Sequence, residues 1–214
     1  MPSSSPATRP SPPVTVFLVD DEPGMLKALA RLLKAESFSV RAFTSAKAFL
    51  EAYQPAAPGC LVLDVAMPGL DGLELQQRLT SAGVLMPIVF LTGHGDIPMS
   101  VQAIKAGAVD FLTKPVNDAD LLRAVRAALQ RAAQQRDRIA GVALLRQRHA
   151  SLTPREREVM AHVLAGQLNK QIADDLGVGE HTIKVHRARV MEKMGVESLA
   201  DLVRAAERLE LGKQ

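Results

Sequence analysis

Cys60-Leu61-Val62-Leu63-Asp64-Val65-Ala66-Met67-Pro68-Gly69-Leu70-Asp71-Gly72 decides how the first half of this chain is read. Four apolar residues end in a carboxylate, and a Pro/Gly-rich turn follows. A short, continuous apolar run bounded by turn residues reads as a strand buried on both faces, as in a parallel sheet. Two further runs end in charge. Val16-Phe17-Leu18-Val19 closes on Asp20-Asp21, and Phe111-Leu112-Thr113 on Lys114-Pro115. In an open α/β sheet, ligands bind beyond the carboxyl ends of the strands. If these runs are neighbours, three carboxylates and one ammonium converge on one edge. That collection suits a divalent cation and a phosphoryl group.

Working outward, strand patterns fall at 14–19, 39–43, 60–63, 87–92 and 109–113. Helical periodicity separates them at 25–35, 45–53, 73–81 and 98–106, and 118–130 follows the last strand. Five strand-then-helix units predict a doubly wound, five-stranded parallel sheet with helices on both faces. From Asp118 the helical pattern continues through a basic, Ala- and Gln-rich stretch. It reads as a long helical linker over 131–150, with Gly141 as a candidate break. Residues 1–13, rich in Ser and Pro, read as a disordered tail.

Residues 151–214 form a second, all-α unit. Thr153-Pro154-Arg155-Glu156 is a helix start, with Thr153 as N-cap, Pro154 at the first helical position and Glu156 three residues after the cap. Helices are expected at 154–165, 169–176, 180–194 and 198–209, punctuated by Gly166, Gly177 and Gly195. Within 169–189 the order is helix, Gly-containing turn, helix. On the second helix Ile183, Val190 and Met194 share one face, which must be the core face. Val185 and Ala188 point away, flanked by Lys184 and Arg189, while Arg187 lies nearer the apolar side. Such a helix suits a DNA major groove. Lys184 and Arg189 offer contacts to phosphates or guanine edges, Val185 to a thymine methyl, and Arg187 and Lys170 to phosphates. Thr182, near the helix start, completes the candidate DNA-binding set.

Composition sets outer bounds. The 214 residues are 47% hydrophobic but only 3% aromatic, so aliphatic side chains build the cores. A single cysteine, Cys60, excludes an intramolecular disulfide and fits a reducing cytoplasm. No apolar stretch reaches the ~18 residues of a membrane span. The net charge of +3 is modest, and its basic excess lies in 117–150.

A phosphoryl-accepting carboxylate needs a cation to screen the incoming anion and donors to hold its oxygens. Magnesium or manganese favours oxygen ligands. Asp21, Asp64 and the Ala66 carbonyl are candidate ligands, with Asp20 acting directly or through water. Lys114 and the Thr92 hydroxyl are candidates to hold the phosphoryl oxygens.

Residues 14–130 resemble the receiver domain of two-component response regulators. Val19-Asp20-Asp21-Glu22, Leu63-Asp64 through Asp71-Gly72, Leu91-Thr92-Gly93 and Phe111-Leu112-Thr113-Lys114-Pro115 carry the likeness. The resemblance implies a flavodoxin-like sheet, a magnesium site, phosphoryl transfer from a sensor histidine kinase to Asp64, and a switch pair of Thr92 with Phe111. Thr92-Gly93-His94-Gly95-Asp96-Ile97-Pro98-Met99 is similar to the FixJ-type subgroup, with His94 expected on an exposed loop. The C-terminal unit resembles the LuxR/NarL/FixJ helix-turn-helix output domain through Leu152-Thr153-Pro154-Arg155-Glu156, Asn169-Lys170-Gln171-Ile172-Ala173 and Thr182-Ile183-Lys184-Val185-His186-Arg187. Ala188 stands where some relatives carry a basic base-contacting residue, so readout there is apolar or absent. Together these imply a transcriptional regulator, not an enzyme, that dimerises on phosphorylation and works with promoter DNA and RNA polymerase. The alternative is a phosphorylation-independent DNA-binding regulator whose receiver is an interaction domain. An aspartate-nucleophile phosphatase would need an acid at position 66, where Ala66 stands.

Overall fold

The alternation of side chains along a strand explains why one apolar run serves two cores at once. In the computed structural model, which describes residues 14–54, 58–93 and 97–211, β1 (Thr15–Val19), β3 (Gly59–Asp64) and β4 (Ile88–Thr92) are buried along their whole length. Phe17 and Val19 of β1 face one layer, with Leu61, Leu63 and Phe90. Val16 and Leu18 face the other, with Cys60, Val62, Val89 and Leu91. β2 (Ser39–Phe43) and β5 (Asp110–Thr113) are less buried. The five strands pair in parallel in the order β2-β1-β3-β4-β5, so β2 and β5 are the edges. This is the doubly wound sheet expected from the sequence.

α1 (Pro23–Ala35) and the first part of α5 (Asp118–Ala150) cover one face through Leu26, Leu29, Leu33, Leu121, Val125 and Ala128. α2 (Ala46–Ala52), α3 (Gly72–Ser81) and α4 (Ile97–Lys105) cover the other through Phe49, Leu75, Leu79 and Ala103. Phe49 stacks on Tyr53 at 5.2 Å and meets Phe17 edge-on at 5.7 Å, so these three rings form one aromatic cluster in this layer. Cys60 lies fully buried in the other layer, and desolvation pushes its thiol up to about 12.

The chain divides into two compact units, Met1–Gln135 and Arg136–Gln214. The linker is the long helix read from the sequence: α5 runs through the candidate break at Gly141, unbroken to Ala150. A glycine costs a helix about 1 kcal/mol relative to alanine. The flanking Ala, Leu, Arg and Gln residues favour helix and outweigh it.

In the second unit α6 (Pro154–Leu164), α7 (Asn169–Leu176), α8 (Glu180–Met194) and α9 (Leu199–Arg208) enclose Val159, Met160, Ile172, Ile183, Val190, Met194 and Leu202. The Thr153 cap forms as the sequence predicts. Its hydroxyl accepts from the Glu156 N–H, and the Glu156 carboxylate accepts from the Thr153 N–H at 2.8 Å. Gly177 ends α7 in the left-handed region (φ 65°), and Gly179 caps α8, which starts at Glu180. Among the described residues, no helix is long and apolar enough to cross a membrane. The expected tail, residues 1–13, and His94 lie outside the described residues.

Candidate functional site

Because all five strands are parallel, their C-terminal ends share one edge. β1 therefore delivers Asp20, β3 delivers Asp64, β4 ends in Thr92, and Lys114 follows β5. Lys114 Nζ donates to Asp20 Oδ2 at 2.8 Å and to Asp64 Oδ2 at 3.0 Å. Asp20 and Asp64 are 1% and 4% exposed, and the Lys114 side chain 11%. The peptide bond Lys114–Pro115 is cis. Thr92 is buried, lies opposite Thr113 in the register, and accepts the Lys114 N–H at its carbonyl.

Carboxylate oxygens of Asp20, Asp21 and Asp64 all lie within 4.8 Å of one another. Hard, all-oxygen donors at that spacing fit a small divalent cation, whose ligands stand about 2.1 Å from the metal for magnesium. Ala66, whose carbonyl is a further candidate ligand, sits on the exposed turn just beyond Asp64, where its N–H approaches Asp64 Oδ1 at 3.4 Å.

Sequence reasoning passed over Glu22. Its carboxylate lies 3.6 Å from Lys114 Nζ, and its N–H donates to Asp20 Oδ1 at 2.9 Å. The available signal was its position, directly after Asp21 and before Pro23 at the start of α1. Three carboxylates, those of Asp20, Asp64 and Glu22, thus lie within 3.6 Å of one ammonium, with Asp21 beside Asp20 and Asp64.

Burial raises the Asp64 carboxyl above its ordinary range. The hydrogen bond and charge of Lys114 pull it down, and the Asp20 charge pushes it up again. Burial depresses the Lys114 ammonium, but its hydrogen bonds to Asp20 and Asp64 outweigh this and its pKa rises. Gly72 fixes the rear wall. A Cβ there would fall 2.3 Å from the Asp64 carbonyl oxygen, so α3 begins in backbone contact with the strand end.

Phe111 and Thr92 lie on the same face of adjacent strands, one diagonal step apart, since Phe111 stands opposite Phe90 in the register. The Phe111 ring is half-buried and lies 6.0 Å from that of Phe90.

In the second unit α8 carries the other candidate residues. Ile183, Val190 and Met194 are buried. Thr182, Lys184, Val185, Ala188 and Arg189 are exposed, as is Lys170 at the start of α7. Among the described residues, Lys184 pairs only with Glu180, at 3.4 Å on the surface. Arg187 departs from the set. It is half-buried, and its Nη1 donates to Asn169 Oδ1 at 2.6 Å, tying α8 to the first residue of α7. The helical wheel placed it near the apolar side but could not reveal a partner 18 residues away. His186 is half-buried, with a buried Nδ1 that finds no partner among the described residues.

Comparison with known proteins supplies the context. Residues 16–126 match the response regulator receiver domain, and residues 150–206 match the bacterial regulatory proteins of the luxR family. The chain is 49% identical over 194 residues to the response regulator protein TodT of Pseudomonas putida, covering 91% of this chain and 86% of that one. It is 45% identical over 191 residues to the transcriptional regulatory protein FixJ of Azorhizobium caulinodans, covering 89% and 90%. Among solved structures, the response regulator StyR superposes with a TM-score of 0.81 at 46% identity, covering 92% of this chain and 99% of that one.

Proposed function

Since the chain belongs to the response regulators, as a two-component transcriptional regulator that joins a receiver domain to a LuxR-type DNA-binding domain, we propose that a sensor histidine kinase phosphorylates Asp64 and that this promotes promoter binding through α8. The observation that carries the reading is the convergence of Asp20, Asp21, Asp64 and Lys114 on one sheet edge.

An Asp64 oxygen attacks the phosphorus of a phosphohistidine, the P–N bond breaks, and the imidazole leaves. Lys114, now bonded to Asp64, follows the negative charge onto the phosphoryl oxygens. Thr92, buried at the end of β4, offers its hydroxyl to the same group. Magnesium or manganese held by Asp20, Asp21, Asp64 and the Ala66 carbonyl would screen the incoming anion. The chain's own work is positioning and charge stabilisation.

Phosphorylation then biases Thr92 and Phe111, and with them the surface of α4 and β5. Val101 and Ile104, exposed one helical turn apart on α4, support that surface as the contact of a phosphorylated homodimer. Lys184, Val185 and Arg189 read the major groove, with Ala188 apolar or silent. Lys170 and Thr182 contact phosphates, and RNA polymerase is the downstream partner.

The test is labelling by a small phosphoryl donor such as acetyl phosphate. The wild type should take up acid-labile phosphate only with a divalent cation, and Asp64→Asn should not label. Full labelling of Asp64→Asn would remove Asp64 from this role. In the same chain, Lys184→Ala should weaken binding to a selected duplex.

A further inference from the structure

α8 is a 15-residue helix that buries Ile183, Val190 and Met194 in its core, with Met191 packed partly against it. Apolar side chains gathered toward one face fix its depth better than its tilt. The tilt falls to polar ties, and most of those described gather at its C-terminal end. Lys193 Nζ donates to Glu156 Oε2 at 2.6 Å and reaches the Ser151 carbonyl at 3.4 Å. From the last turn of α5, Arg148 Nη1 donates to the Met194 carbonyl at 3.0 Å. The last carbonyls of a helix lack intrahelical donors and carry its negative pole, so a guanidinium suits this place twice over. The contact is also close. Gly195 ends α8 at φ 62°, and a Cβ on it would fall 2.4 Å from Arg148 Nη1 and 2.6 Å from Cζ. Glycine here serves both the left-handed turn and the guanidinium packed over it.

We propose that Arg148 is a positioning residue for DNA reading: by holding the C-terminal end of α8 it sets the angle at which Lys184, Val185 and Arg189 meet the bases. The proposal rests on the reading of α8 as the DNA-reading helix. Lys184 and Met194 are ten residues apart on that helix, about 15 Å at the rise of an α-helix, so a tilt of about 5° at the held end moves the reading face by about 1 Å. Base-edge hydrogen bonds are sensitive to such a shift, whereas long side chains reaching phosphates absorb it.

The experiment uses the full chain, treated throughout with acetyl phosphate and magnesium. A duplex is selected by the wild-type protein from a random-sequence pool, and a scrambled duplex of equal length serves as the non-specific probe. Binding to both is measured against salt for the wild type, Arg148→Ala and Arg148→Lys, with melting temperatures for each. Arg148→Ala should lose about tenfold on the selected duplex, the size of one mismatched contact. It should lose nothing on the scrambled duplex, and its salt slope should be unchanged. Arg148→Lys, which keeps a donor at the carbonyl, should recover part of the loss and stays informative if the alanine variant does not fold.

Equal losses on both duplexes, with the slope reduced by about 0.9, would make Arg148 a phosphate contact and overturn the proposal. A lowered melting temperature with unchanged selectivity would make it a brace of the fold alone and overturn it equally. If the wild type selects no duplex, the reading of α8 fails and takes this proposal with it. If Lys184→Ala loses selectivity while Arg148→Ala does not, the reading stands and only the proposal falls.

Discussion

The two units bury charge in opposite ways. At the sheet edge of the first, Asp20, Asp64 and Glu22 share the ammonium of Lys114, and Asp21 stands beside Asp20 and Asp64. In the second, a set of charged side chains meets acid, carbonyl or amide partners: Glu156 takes Lys193, Arg155 takes Glu158 and the Leu176 carbonyl, Arg157 takes the Leu152 carbonyl, and Arg187 takes Asn169. A satisfied pair is architecture, because removing either partner strands the other. An unbalanced cluster is a debt that folding tolerates because something else arrives to settle it. The surplus of carboxylates, more than their burial, marks the first cluster as a site and the second set as struts.

That contrast can be broken by measurement. The largest expected effect is cation binding. Magnesium at about 100 times its dissociation constant should stabilise the first unit by about 2.7 kcal/mol and leave the second unmoved, as read by hydrogen exchange resolved by segment. Equal protection of both units would dissolve the distinction.

Next comes the second unit's best pair. Glu156→Ala should cost about 2 kcal/mol in chemical denaturation, since it strands Lys193 and leaves the Thr153 N–H without its acceptor. The opposite sign is expected at the sheet edge. In chelator-treated buffer, Asp21→Asn should stabilise the first unit by about 1 kcal/mol while abolishing its response to magnesium. A loss of stability in Asp21→Asn without metal would mean the acids are struts as well.

A smaller effect separates the units by pH. Lys193, and then the Thr153 N–H, hold the Glu156 carboxyl below its ordinary 4.5. Its contribution is therefore complete above about pH 4.5 and lost as pH falls through the depressed value. The acid limb of the second unit's melting profile should flatten in Glu156→Gln. Smallest of all, Gly141→Ala should stabilise α5 by about 0.5–1 kcal/mol, because nothing lies within 4 Å of the added methyl.

The sheet and the acid cluster were legible for one reason. Each strand is a short apolar run, and a parallel sheet must bring the ends of such runs to a common edge. Reading Asp64 after Leu63, and Asp20 after Val19, was therefore already reading a site. The helices of the second unit were equally legible, because Thr153, Pro154, Gly177 and Gly195 mark their ends. The ties between helices were not. Arg148 with Met194 and Arg187 with Asn169 join residues 46 and 18 apart, and no periodicity announces which arginine turns inward. Glu22 escaped because a third acid beside Asp20-Asp21 looks like an ordinary helix start. At Gly141 the long helix read from the sequence holds, because the propensity of its neighbours outweighs the candidate break.

The buried Cys60 has a practical consequence. It is the only thiol in the chain, fully enclosed between β-strands and helices, with its ionisation pushed up to about 12. At neutral pH it offers almost no thiolate to an alkylating reagent. The natural sequence is therefore a ready background for fluorescence or spin labels. A cysteine introduced at an exposed position such as Ala188 on α8, or Gln102 on α4, would take the probe alone. The motions of either unit could then be followed without removing a residue from the core.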